Sequence, residues 1–158
     1  MDHFQLQGGV VHCEDVPLPL IAEAVGTPVY IYSTATMRRH AEVMLAAVAD
    51  CGTGAPLVAY AVKANPNAAV LKVLAGAGLG ADVVSIGEYR RARTAGIPPE
   101  RIVFSGVGKT RAEMAEALAG GLLQFNAESL EEAEMLSAVA VELGRPAPLG
   151  FRLNPDVA

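Results

Sequence analysis

Alternation of short apolar strands with helical stretches predicts an α/β fold built on a parallel sheet. Three observations carry that prediction. Five strand candidates, at 57–62, 81–84, 102–104, 122–125 and 149–153, are each separated by enough sequence for one helix, the pattern of consecutive βα units. Three of the following junctions repeat one capping-box spacing: Ser85 with Glu88, Thr110 with Glu113, and Ser129 with Glu132. In that spacing the hydroxyl and the carboxylate satisfy each other's free amide hydrogens. The helix exits carry glycine, at Gly76 and Gly78, Gly96, Gly120-Gly121 and Gly144, and two of them add proline beyond it, Pro98-Pro99 and Pro146.

The chain has 158 residues, 52% of them hydrophobic, and a formal net charge of −5. That is enough apolar material to bury a core, and length alone suggests about one domain. No basic run is present, which argues against a nucleic-acid partner. No apolar stretch approaches the roughly 20 residues of a membrane span, and the first residues lack the basic and apolar regions of a leader. A soluble, cytoplasmic protein is expected. Cys13 and Cys51 are isolated, and His3, His12 and His40 are scattered, so no metal site is expected.

Residues 1–32 differ in texture from 33–158, and the two stretches are read as separate parts. Gly8-Gly9 with 10–13 predicts a turn and a strand, 17–25 a short helix, and 27–32 a second strand entered at Pro28. Two short strands need partners, so they are expected to complete a sheet supplied elsewhere in the molecule. Ser33 then caps a helix through about Asp50, with Met37, Ala41, Met44, Leu45 and Val48 on one stripe. Gly52 and Gly54 are expected to end it.

The first βα unit carries the residue most in need of explanation. The run 57–62 is apolar and predicts a strand buried on both faces, yet it ends on Lys63 and turns at Asn65-Pro66 into a helix. Asn65 reads as the N-cap and Pro66 as the first helical residue. A lysine in that setting either snorkels to water or is used chemically. Desolvation favours the neutral amine, the form that attacks an aldehyde or other carbonyl to form a Schiff base.

In parallel α/β folds chemistry gathers at the C-terminal ends of the strands. Those ends carry Lys63, then Asp82 and Ser85, then Ser105, Gly106 and Lys109, then Asn126 and Glu128, and finally Arg152 and Asn154. Asp82 reads as a functional carboxylate or a local cap. Arg152 reads as a functional cation or one half of a buried ion pair. The stretch 105–110 is a phosphate-loop lookalike, but the glycine that pattern requires at position 103 is Val103. Gly76-Ala77-Gly78-Leu79-Gly80 runs from helix into strand, the reverse of a dinucleotide turn, and reads as a helix end.

Together these blocks resemble a known family. Tyr60-Ala61-Val62-Lys63-Ala64-Asn65, residues 80–88, Phe104-Ser105-Gly106-Val107-Gly108-Lys109-Thr110, Asn126-Ala127-Glu128-Ser129 and Arg152-Leu153-Asn154-Pro155 are similar to successive blocks of the diaminopimelate decarboxylases. These are fold-type III pyridoxal-phosphate enzymes, grouped with the alanine racemases and the ornithine and arginine decarboxylases. The first block marks the superfamily, and the third, in register with the others, points to the diaminopimelate branch.

The resemblance implies the first five strands of an alanine racemase-like (β/α)₈ TIM barrel, with residues 1–32 joining a C-terminal β-domain. It implies pyridoxal 5'-phosphate as cofactor, Lys63 as the lysine that holds it, Asp82 as an acidic residue beside it, and Arg152 as an arginine near its ring oxygen. Ser85, Glu88, Lys109 and Asn126 are assigned first to helix starts and loop scaffolding. The implied reaction is decarboxylation of meso-diaminopimelate to L-lysine, the last step of lysine biosynthesis, by a homodimer.

Eight barrel units need about 250 residues. The chain therefore reads as an N-terminal portion, expected to be unstable and little active alone. Other enzymes of the superfamily and a non-catalytic pyridoxal-phosphate carrier share the lysine. A doubly wound binding domain with a snorkelling lysine would instead show its strand order reversing at a switch point.

Overall fold

A computed structural model describes residues 3–49, 51, 56–153 and 155. Backbone contacts divide the chain into two compact units, 1–53 and 54–158.

In the first unit an antiparallel meander of β1 (Phe4–Gln7), β2 (Val10–Cys13) and β3 (Val16–Pro17) precedes helices α1 (Leu18–Val25) and α2 (Thr34–Val48). Strand β2 and α1 fall where the sequence predicts. Strands β1 and β3 are additional, and the alternation Phe4-Gln5-Leu6-Gln7 is the period-2 signal for the first. The stretch 27–32 forms no strand: Pro28 removes one ladder donor, and no neighbouring strand pairs with it among the described residues. Helix α2 is capped as predicted, with Thr36 N–H donating to Ser33 Oγ at 3.0 Å. Glu14 reinforces the cap by accepting from Ser33 Oγ and from Ala35 N–H. Asp50, Gly52 and Gly54, expected at the end of this helix, lie outside the described residues, as does Asn154.

The second unit is a five-stranded parallel sheet of β4 (Ala59–Ala61), β5 (Gly80–Val83), β6 (Ile102–Phe104), β7 (Gln124–Ala127) and β8 (Leu149–Phe151). Helices α3 (Ala68–Gly76), α4 (Ile86–Thr94), α5 (Arg111–Ala119) and α6 (Leu130–Leu143) alternate with them. Spatial order equals chain order from β4 to β8. A doubly wound domain reverses at a switch point, and this sheet does not. The sequential order is that of a barrel wall.

The helices cover one face. Ala81, Val83, Ile102, Phe104 and Phe125 point into the core with Leu71, Tyr89, Met114, Leu118 and Leu136. Phe104 and Phe125 stack with centroids 5.9 Å apart. Burying such side chains supplies about 1.5–3 kcal/mol each and holds the βα units in register. Parallel pairing puts Gly80, Asp82, Val103, Gln124 and Asn126 together on the opposite face. Strand β4 is half-buried throughout and not buried on both faces as its composition suggests, because it pairs on one side only, with β5.

The three capping sequences all start helices, and they differ in how the glutamate is used. Thr110 and Glu113 form the reciprocal box. At the other two the serine hydroxyl accepts as expected, but the carboxylate reaches one residue further back, Glu88 to Val84 N–H and Glu132 to Glu128 N–H. Helix α3 begins later than predicted. Asn67 caps it, accepting from Ala69 N–H at 2.8 Å, while Asn65 accepts from Asn67 N–H and shapes the turn before it.

Candidate functional site

The site is built at the C-terminal ends of β4 to β8. Lys63 is not the last residue of β4. It is the middle residue of a 3₁₀ turn, Val62–Ala64, that follows the strand. Val62 of this turn is fully buried and anchors it, while Lys63 is exposed and makes no hydrogen bond or ion pair among the described residues. The amine is thus uncommitted at the strand end.

Asp82 lies on the strand that pairs with β4. Ala61 pairs with Asp82, so Lys63 is two residues beyond the partner of Asp82. Asp82 is not a local cap: its Oδ1 accepts a 2.5 Å hydrogen bond from Ser105 Oγ, one residue past β6. Ser105 Oγ in turn accepts from Asn126 Nδ2 at 3.0 Å, and Asn126 Oδ1 accepts from Gln124 Nε2 at 2.7 Å. Asn126, read from sequence as a loop residue, lies inside β7 because that strand runs two residues further than predicted. Sequence reading did not single out Gln124. The signal was the polar pair at alternate positions 124 and 126, which alternates with the buried Phe125 and Ala127.

Arg152 lies one residue past β8, where its N–H still donates to Ala127 O at 2.9 Å. Its guanidinium pairs with Glu128 at 3.1 Å, half-exposed and not buried. The same Glu128 oxygen accepts from Gly106 N–H at 3.0 Å, so the loop after β6 fixes the carboxylate that holds the arginine. Gly106 has φ +89°, and a side chain there would crowd Val84. Lys109 is buried scaffolding: its Nζ donates to the carbonyls of Gly106 and Asn126 and to Glu132. Burial alone would raise the Glu132 carboxyl. The Glu128 N–H and the Lys109 ammonium outweigh it and hold the group below its ordinary value. These loops and the start of α6 line a cavity of 560 Å³.

Residues 35–158 match the family model described as "Pyridoxal-dependent decarboxylase, pyridoxal binding domain". The chain belongs to this family. Within it, the chain is 55% identical over 154 residues to the diaminopimelate decarboxylase of Zymomonas mobilis, a match covering 98% of this chain and 37% of that protein. It is 51% identical over 158 residues to the enzyme of Pseudomonas aeruginosa, again over 37% of its length. The crystal structure of diaminopimelate decarboxylase from M. jannaschii in complex with L-lysine superposes with a TM-score of 0.90 at 33% identity, covering 99% of this chain and 37% of that one. The chain thus spans little more than a third of the length of these relatives. Its five-stranded wall is the first part of a pyridoxal-binding barrel.

The residues fit the family's cofactor. Pyridoxal phosphate needs a primary amine for its aldehyde and polar groups for its ring. Lys63 offers an exposed and uncommitted amine. Asp82 and Arg152 offer a carboxylate and a guanidinium at the same ends of the sheet, each held by a neighbour.

Proposed function

We propose that this chain is the cofactor-holding first part of a diaminopimelate decarboxylase, a cytoplasmic homodimeric enzyme that converts meso-diaminopimelate to L-lysine and CO₂. Lys63 holds pyridoxal phosphate, with Asp82 and Arg152 beside it, and residues 1–32 join a β-domain. The observation that carries the reading is Lys63 itself, an exposed amine that is unpaired among the described residues and lies just past the first barrel strand, two residues beyond the register partner of Asp82. The relatives at 51–55% identity support the choice of substrate.

The roles follow from the positions. Lys63 would hold the cofactor through Nζ, and the same amine would be the group placed to carry a proton near the substrate α-carbon. When bound, pyridoxal phosphate supplies the electron sink that makes loss of the α-carboxylate feasible. Arg152, fixed by Glu128, would help to hold the cofactor from its ring side. Asp82 is fixed by Ser105.

The test is to extend the chain to the length of its relatives, add pyridoxal phosphate, reduce with borohydride and map the labelled peptide. Label on Lys63, its loss in Lys63→Ala, and CO₂ release from meso-diaminopimelate but not from ornithine or arginine are expected. Label on another residue would remove the catalytic assignment. Label on Lys63 with release from ornithine would move the enzyme to a sister branch.

A further inference from the structure

We propose that Gln124, Asn126 and Ser105 act together as positioning residues, a one-directional hydrogen-bond relay that holds the Asp82 carboxylate at the Lys63 end of the sheet. Gly150 is the spacer that gives the relay room. The inference rests on the roles given above to Lys63 and Asp82.

The relay crosses three strands on the face turned away from the helices. Pairing of Asp82 with Val103 and of Val103 with Gln124 sets the three strands in step, so Ser105 and Asn126 follow two residues later on the same face. The links measure 2.7 Å from Gln124 to Asn126, 3.0 Å from Asn126 to Ser105, and 2.5 Å from Ser105 to Asp82.

Its direction follows from the donor inventory. A carboxylate only accepts, so the single Ser105 proton goes to Asp82 Oδ1. Ser105 Oγ must then accept, and the group facing it must be the Asn126 amide nitrogen. That choice turns Asn126 Oδ1 toward Gln124, which can satisfy it only with Nε2. Every donor points toward Asp82, and each bond polarises the next. Among the described residues only Oδ1 is engaged, which leaves Oδ2 out of the relay.

Gly150 supplies the independent observation. It pairs with Asn126 across β7 and β8, and a Cβ built on it would lie 2.5 Å from Gln124 Nε2 and 3.2 Å from Asn126 Oδ1. Its backbone is outside the left-handed region, so glycine is required for space and not for conformation. Any side chain there would displace the first donor of the relay. Val103, on the same face between these residues, shows that an apolar side chain is accommodated there. Three polar side chains aligned toward one carboxylate are therefore not a demand of the sheet itself, since burying each has a cost that only its partners offset.

The test uses the chain extended to its relatives' length, with Ser105→Ala, Gln124→Met and the double variant. In the apoprotein, the rate at which acetic anhydride acylates Lys63 is followed by peptide mass spectrometry, with exposed Lys72 as internal reference. With the relay intact Asp82 is tied to Ser105 and Lys63 stays exposed and unpaired among the described residues; a carboxylate released from Ser105 is free to close on that amine and shield it from the anhydride. Each single variant is therefore expected to lower the Lys63-to-Lys72 ratio about threefold, with no further fall in the double, because groups acting as one unit are not additive. In the loaded enzyme kcat is expected to fall about tenfold with KM little changed, and Ser105→Thr to restore both readouts.

An unchanged ratio in both single variants, or effects that add in the double, would overturn the relay. If Ser105→Ala does not fold by circular dichroism, Gln124→Met and Gly150→Ala decide the matter by the same ratio. Borohydride label away from Lys63 would overturn the cofactor assignment instead, and acylation of the apoprotein would still decide the relay.

Discussion

Lys109 Nζ stands 3.1 Å from Glu132 Oε2, and the two side chains are only 1% and 12% exposed. The pair ties the loop after β6 to the first turn of α6, and Glu132 Oε2 also takes the Glu128 N–H. Glu132 Oε1 is buried without a hydrogen-bond partner. Removing one member of such a pair strands the other, at a cost of about 3–5 kcal/mol, whereas replacing both with apolar residues of similar volume is often close to neutral. Lys109→Met is therefore expected to lower stability by about that amount, and Lys109→Met with Glu132→Leu to recover only part of it, because the Gly106 and Asn126 carbonyls and the Glu128 N–H lose their partners as well. Urea denaturation of the four proteins in the cycle checks this, and equal losses in the single and double variants would contradict it.

Acid is expected to act through a small set of carboxylates. The Thr110 and Ile86 N–H groups hold Glu113 below its ordinary value of 4.5, and Glu132 is held low as described above. A carboxyl whose folded value is depressed contributes stability that is fully present above the ordinary value and is lost as pH falls through the folded one. Melting temperature should stay nearly flat from neutrality to about pH 5 and then drop. Glu113→Gln should lower the plateau and make the acid slope shallower. A slope unchanged by Glu113→Gln would show that the carboxylate does not contribute.

Two glycines of the same βα unit should respond in opposite directions to alanine. A Cβ on Gly80 would collide with the Arg101 carbonyl and lie 2.6 Å from Leu57 Cδ1. The carbonyl belongs to backbone and cannot swing away, so Gly80→Ala should destabilise by more than about 2 kcal/mol. Gly87, inside α4, has only Ser85 Oγ at 3.7 Å. There alanine restricts the unfolded chain and improves helix propensity, so Gly87→Ala should add about 0.5–1 kcal/mol. Thermal melts that rank the two the other way would refute the packing described for β5.

The parts of the fold written in local periodicity were legible in the sequence, and those written in pairing were not. The βα alternation and the capping serines and threonine are local, and all of the predicted helix starts after residue 80 fall where expected. The strand predicted at 27–32 failed because strand formation depends on a neighbour that local composition cannot report. Lys63 was legible as the residue of interest, but its place in a 3₁₀ turn depends on Asn65 and Asn67 sharing the capping work. The relay was hidden for a further reason. Asp82 and Ser105 are 23 residues apart, and only the register of β5 on β6 brings them together. Glu128 and Arg152, 24 apart, meet by the same rule.

That last pair yields a prediction about the cofactor. Glu128 Oε1 accepts from Gly106 N–H at 3.0 Å and from Arg152 at 3.1 Å, so one oxygen serves both the loop and the arginine. Glu128→Gln keeps a carbonyl oxygen of the same shape for Gly106 but removes the charge that holds the guanidinium. Arg152 is half-exposed, and pairs of that kind are worth up to about 1 kcal/mol. If Arg152 orients pyridoxal phosphate, its affinity for the extended apoprotein should weaken about fivefold in Glu128→Gln, since about 1 kcal/mol corresponds to that factor, while melting temperature in the apo form changes little. Glu128→Ala removes the Gly106 partner as well and should lower both affinity and melting temperature. Fluorescence titration with pyridoxal phosphate separates the cases. An affinity unchanged in Glu128→Gln but lowered in Glu128→Ala would assign Glu128 to the loop alone and detach Arg152 from the cofactor.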